Sequence, residues 1–326
     1  SLFSSSSSIS LAAIPLFVLM GELLFRSGSV DVLFDALGKL LGKLKGRLYY
    51  FVVVLSAVFG ALSGSAIAVT AMLGKTALKT MLQRGYDHKM SASVILSGAA
   101  LAPIIPPSTM AVVIGSVADV SISKLLLAGV IPGMVIAGGF AVYIAVSVRM
   151  NPALAPVNEV VENVSFRDKV VALLQCMPFA IVIFSVMGFI LRGVATATES
   201  AATGVLASLI VAACYRKLRW EMFIESLKSA ASVTAVLMVI VVSSTFYTQL
   251  LAFSGATSGL VNAITSLPIN GLTFTIGVLV ITFFMCMFID QVAYMLMVIP
   301  ILQPIMKSFG LDPVYFWCLF LIFISI

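Results

Sequence analysis

Two membrane-length stretches of this chain carry no charged side chain, and residues that weaken helices interrupt each near its middle. Leu48–Gly74 is 27 uncharged residues with Ser63-Gly64-Ser65 close to its centre. Met90–Ala118 is 29, with Pro106-Pro107-Ser108 close to its centre. A break at that depth frees amides and carbonyls where lipid offers no hydrogen bonds. Such breaks persist only inside protein or beside a polar cavity. Discontinuous helices of this kind build the ion and substrate sites of secondary transporters, so the chain is read as a transporter.

Composition agrees. Hydrophobic residues make up 61% of the 326, charged residues 10%, and the mean hydropathy is +1.17. A soluble domain carries about 25% charged residues. The chain cannot cover itself with polar surface and is read as a polytopic protein of the lipid bilayer. Ser229–Ile289 holds 61 residues without a charge, too many for one helix, which needs roughly 20. The net charge of +6 does not point to nucleic acid, because the basic residues fall in short loops where they set orientation. Cys176, Cys214, Cys286 and Cys318 lie in apolar segments without C-x-x-C spacing and read as small buried hydrophobes. His88 is the single histidine, which excludes a histidine-built metal site. The Ser-rich start without Met and the stop inside an apolar run are read as cut ends.

Basic residues cluster at Lys39–Arg47, Lys75–Lys89 and Arg216–Lys228, and the positive-inside rule puts all three clusters at the cytoplasm. The first two flank Leu48–Gly74 on both sides, which predicts a re-entrant hairpin turning at Ser63-Gly64-Ser65. An arm of about a dozen residues reaches roughly 18–20 Å, mid-depth in a hydrocarbon core about 30 Å thick. Crossings are then expected at 90–118, 125–148, 170–191, 197–215 and 231–253. Five crossings are an odd number, so whatever repeats after them is inverted.

Glu22–Gly28 is echoed by Gln249–Gly255 at an offset of 227 residues, and Met81–Asp87 by Met306–Asp312 at an offset of 225. The second offset carries Ser65 onto Asp290, near the centre of Gly271–Met306, and predicts a second hairpin there. Inverted repeats of this kind accompany alternating access.

Each motif has a plainer alternative. Ser63-Gly64-Ser65 could serve helix packing, but its basic flanks and the partner break favour an ion site with Ser65 and Ser108 hydroxyls and freed carbonyls as ligands. Hard oxygens suit sodium or a proton-linked water over a soft metal. Pro106-Pro107 could be a kink, but two consecutive missing amides, with Pro103 upstream, favour an unwound segment. Asp290 is the single carboxylate between Lys228 and Lys307. An intramembrane charge is costly, which favours a functional role, as a sodium ligand or as a neighbour that fixes the hairpin tip, over a residue that lies near a hairpin end and reaches the interface. Thr196, Thr198 and Glu199 form a helix-start motif that capping explains, and they rank as second-tier candidates with Glu22. Gly74-Lys75-Thr76 lacks the upstream glycine of a phosphate loop, since Val69 stands there; no ATP use and no protease motif is read.

In order along the chain stand Ala13–Phe17 with Gly21-Glu22, Leu62–Ser65, Arg84–Tyr86, Ile105–Ser108 and Ala128–Gly133. This set resembles the large membrane subunit (DctM-like) of tripartite ATP-independent periplasmic (TRAP) transporters. Thr196–Ala201 looks like that family's T-P-T-E-A-A element, with Ala197 and Ser200 as departures. The resemblance implies an all-α fold of inverted repeats with two re-entrant hairpins and broken helices, of the elevator-type ion-transporter superfamily. It implies sodium-coupled symport of an organic acid such as a dicarboxylate or sialic acid, across a bacterial or archaeal cytoplasmic (inner) membrane. It also implies a small membrane subunit and an extracytoplasmic substrate-binding protein as partners.

By motif, a first sodium site would involve Ser63, Gly64, Ser65, Pro106, Pro107, Ser108 and Thr109, and a second Asp290 and Gln291. The second double-proline turn is expected past Ile326. The organisation expected is a scaffold segment 1–47, a first transport core 48–118, linking and scaffold helices 119–270, and a second transport core 271–326. The rivals are a stand-alone sodium-coupled carboxylate carrier and an ion channel. No enzyme is read.

Overall fold

The computed structural model describes residues 12–27, 32, 36, 45–63, 66–156 and 166–326. Among these, every regular element is helical. The first helix, α1 (Ala13–Arg26), buries Ala13, Ile14, Phe17, Met20, Gly21 and Leu24, the spacing of one apolar helix face. Among the described residues four helices, α1 not included, are long and apolar enough to cross a membrane: α7 (Ile122–Met150), α8 (Phe166–Leu191), α9 (Ala197–Cys214) and α10 (Trp220–Phe253). Only 17% of the most apolar window of α10 is buried, so most of its surface suits lipid or another membrane chain.

Outside these spans lie two sets of shorter elements, one before α7 and one after α10. The first set is α2 (Arg47–Ser63) followed by α3 (Ala66–Leu73), a π-helical turn Gly74–Leu78 and α4 (Lys79–Gln83). The second is α12 (Gly271–Cys286) followed by α13 (Gln291–Ser308). A helix of 16 residues such as α12 is about 24 Å long, short of a core about 30 Å thick. Thr282 and Tyr294, on either side of the second break, are buried and their hydroxyls lie 3.2 Å apart. Twelve residues of continuous helix would hold them about 18 Å apart, so the chain doubles back between them.

The repeat extends to backbone detail. Ala66 and Gln83, moved by the 225-residue offset, fall on Gln291 and Ser308, the bounds of α13. The turns that follow have the same construction. Gly85 and Gly310 take φ of 82° and 64°, a left-handed conformation that glycine adopts without the Cβ penalty. The amide of Tyr86 donates to the Met81 carbonyl at 3.0 Å, and that of Leu311 to the Met306 carbonyl at 3.3 Å. Asp87 and Asp312 then cap the next helices, α5 (His88–Ala99) and α14 (Pro313–Ser325), each accepting from an amide three residues on at 2.8 Å. At the 227 offset the ends of α1 and α10 also agree. The Ser27 hydroxyl donates to Leu24 at 2.8 Å and the Ser254 hydroxyl to Leu251 at 3.0 Å.

The unwound segment expected at Pro106-Pro107 divides residues 90–118 into α5 and α6 (Thr109–Val117), with nine non-helical residues, Ala100–Ser108, between them. One expectation changes. The last linking span begins at Trp220 rather than 231, because Trp220–Ala230 continues the same helix with Met222 and Ser226 buried. The uncharged segment after it holds a further helix. Gly255, at φ 72°, turns the chain into α11 (Ala256–Thr265), whose Val261 and Ile264 pack against the core.

Helix α1 lies against α9 and α10 and also touches α2 and α6, and α8 lies against α9. Helix α7 lies against α2, α5 and α6, while α13 and α14 lie on α6. Helix α10 also touches α13, placing the long span beside the second hairpin.

Candidate transport site

The segment Ala100–Ser108 cannot be helical throughout. Pro103, Pro106 and Pro107 supply no amide, and each prolyl ring biases the residue before it away from helix. The Leu101 carbonyl collects the amides of both Ile104 and Ile105, at 3.1 and 2.9 Å, and the Pro106–Pro107 peptide is cis. Ser108 closes the turn: its hydroxyl donates to the Pro103 carbonyl and accepts from the Ala111 amide, capping α6. Leu101, Ala102, Ile104 and Ser108 are buried to 2% exposure or less, and Thr109 is buried as well. Among the described residues, no hydrogen bond ends on the carbonyls of Ile104, Ile105, Pro106 or Pro107. The result is an unwound segment, buried from Leu101 to Ser108 but for the half-buried Ile105, that leads into the N-terminus of α6. Its free carbonyls can ligate a hard cation, and helix-start amides an anion.

Glycines let neighbouring helices close on this segment. A Cβ at Gly60 of α2 would lie 2.6 Å from the Ala102 Cα. One at Gly129 of α7 would lie 2.5 Å from the Ile104 carbonyl oxygen, and one at Gly133 would lie 2.8 Å from the Ile105 side chain. The Ala128–Gly133 motif thus has a task that the sequence did not reveal. Its glycines form the wall against which the unwound chain rests.

Asp290 and Gln291 stand at the head of α13. The Asp290 carboxylate accepts from the amides of Val292 and Ala293 at 3.0 and 3.1 Å and is exposed; Gln291 is half-buried. Helix α13 packs against α6, and the Gln303 side-chain amide donates to the Ala118 carbonyl at 2.6 Å just past the end of α6. One side chain therefore joins the two repeats. Gly64 and Ser65 lie outside the described residues; Ser63 is the last residue of α2, and its side chain is likewise outside them.

The second-tier candidates have structural tasks. Glu22 pairs with Arg26 at 2.8 Å, and Arg26 reaches Glu225 of α10 at 2.7 Å, which ties α1 to the long span. Thr196 and Glu199 form a reciprocal capping box at the start of α9: the Thr196 hydroxyl accepts from the Glu199 amide and the Glu199 carboxylate accepts from the Thr196 amide. Thr198 lies in the first turn of the same helix.

Over residues 1–326 the chain matches the family described as Tripartite ATP-independent periplasmic transporter, DctM component. A putative TRAP transporter large permease protein of Haemophilus influenzae is 31% identical over 328 residues, 100% of this chain and 76% of that protein. The C4-dicarboxylate TRAP transporter large permease protein DctM of Pseudomonas aeruginosa is 27% identical over 317 residues, 96% of this chain and 73% of that protein. In backbone, the YdaH transporter of Alcanivorax borkumensis is similar with a TM-score of 0.67 at 13% identity, covering 98% of this chain and 74% of that one. At that identity the likeness concerns the fold, an all-α membrane transporter. With its whole length matched and its spans and broken helices in place, the chain belongs to the DctM-component family of TRAP transporter large permeases and is a multi-pass membrane protein.

Proposed function

We propose that this chain carries an organic acid across the cytoplasmic membrane with sodium as the co-transported ion, taking its cargo from an extracytoplasmic binding protein and working beside a small membrane subunit. The observation that carries this reading is the set of carbonyls at Ile104–Pro107 that take no hydrogen bond among the described residues. They stand at the head of α6, a helix that packs against α13 of the second hairpin. Carbonyl and hydroxyl oxygens suit a hard, monovalent cation, and an N-terminal helix dipole suits a carboxylate. The C4-dicarboxylate permease of Pseudomonas aeruginosa named above and a sialic acid TRAP transporter large permease of Vibrio cholerae, 28% identical over 309 residues, support an acid as cargo.

In this reading the two hairpin repeats, with α7 against the first, form the moving body, and α1, α8, α9 and α10 form the frame. The duplicated backbone of the hairpins and their turns supports alternating access, in which equivalent halves exchange roles. Reconstitution in vesicles with the small subunit tests the proposal. Uptake should require a sodium gradient and a loaded cognate binding protein. Robust uptake of free solute would favour a stand-alone carrier, and conduction without sodium would favour a channel.

A further inference from the structure

The oxygens of the unwound segment can serve an ion only if they are held in place, and side-chain hydrogen bonds do little of that holding. Ser108 fixes the far end through Pro103 and Ala111, while Ile104–Pro107 make no such bonds among the described residues. What lies against them is the face of α7. Gly129 leaves room for the Ile104 carbonyl oxygen, 2.5 Å from where its Cβ would be, and Gly133 leaves room for the Ile105 side chain, 2.8 Å away. Glycines four residues apart on one helix face let a neighbouring backbone approach closely. The same helix has two further glycines, Gly138 and Gly139, whose added Cβ atoms would meet nothing within 4 Å. Close approach is therefore confined to the part of α7 that faces the unwound chain.

We propose that Gly129 and Gly133 are positioning residues: they set where the Ile104–Pro107 carbonyls stand and thereby the affinity for the coupling ion. The inference rests on the sodium-coupled reading above. The two contacts differ in kind. At Gly129 a methyl group meets backbone, so the segment itself must move. At Gly133 it meets a side chain that can be trimmed. A displacement on the order of 1 Å at a site can cost about 100-fold in function.

The test compares Gly129→Ala, Gly133→Ala, Gly138→Ala and Gly139→Ala in vesicles with loaded binding protein, each at measured membrane abundance. Gly129→Ala should raise the sodium concentration for half-maximal uptake by about tenfold or more. Gly133→Ala should raise it less, and adding Ile105→Ala should restore it. Gly138→Ala and Gly139→Ala should leave it unchanged. If Gly129→Ala does not reach the membrane, the Gly133 pair decides by the same criterion. Lower uptake with an unaltered sodium half-saturation in both Gly129→Ala and Gly133→Ala would reduce the glycines to packing residues and overturn the proposal. Wild-type uptake that ignores sodium would reject the coupling-ion reading instead. The same comparison, read on solute half-saturation, would then decide the role of the glycines.

Discussion

The Ser244 hydroxyl of α10 donates to the Leu296 carbonyl of α13, the carbonyl that Pro300, four residues on, leaves without its helical amide. Ser244 is 7% exposed and Leu296 1%, so water does not compete there. Ser244→Ala should strand that carbonyl at a cost of about 1–3 kcal/mol, read as a lower melting temperature in detergent. Pro300→Ala returns an amide donor to α13. The double variant should therefore lose less stability than Ser244→Ala alone, and an undiminished loss would mean that the hydroxyl does not serve the orphaned carbonyl.

Thr282 and Tyr294 make a comparable pair across the second hairpin. Thr282→Val or Tyr294→Phe alone leaves one buried hydroxyl without its partner. Removing both hydroxyls should cost less than the sum of the single losses, by about 1 kcal/mol. Additive losses in a double-mutant thermal-melt cycle would show that the two hydroxyls do not depend on one another.

Asp290 separates capping from ion chemistry. Asparagine is as good an N-cap as aspartate, so Asp290→Asn should keep α13 and its thermal stability within about 0.5 kcal/mol. It removes the charge, however, and should raise the sodium half-saturation of uptake. An unchanged sodium requirement would assign Asp290 to capping alone.

At the start of α9 the expectation is reversed. Thr196→Ala should cost about 1 kcal/mol of stability through loss of the capping box while leaving the sodium half-saturation untouched. A shift in that half-saturation would bring Thr196 into the transport site.

Charge-free length and helix breakers were enough to read the membrane class and the unwound segment at Pro106-Pro107, and the echoed segments at offsets of 225 and 227 residues were enough to place the second hairpin, because each is written locally along the chain. The helix α11 was not legible. Ser258, Gly259 and Asn262 lower its intrinsic propensity, and it is the packing of Val261 and Ile264 that sustains it. The unwound segment was legible from its prolines, but its support was not. Gly129 and Gly133 form a readable small-residue pair, yet the chain they receive lies some two dozen residues upstream, and only the fold joins them. Glu22 stood among the second-tier candidates and in the motif that carries the family resemblance. Its partner Arg26 stands one helical turn away, a spacing that could have marked the pair as structural.

The two turns built around Gly85 and Gly310 share their bonds but not their surroundings. At matched positions the first half carries Lys75, Lys79, Arg84 and Lys89 where the second has Pro300, Pro304, Phe309 and Val314. One backbone blueprint is thus written twice with different addresses. The glycine and aspartate specify how the chain bends, and they specify nothing about which side of a bilayer the bend will occupy. That instruction rests with the basic residues, which the translocation machinery reads before any turn has formed. Shape and sidedness are therefore encoded in separate alphabets, and a duplicated half can be turned over by rewriting a few charges without redesigning a single bend.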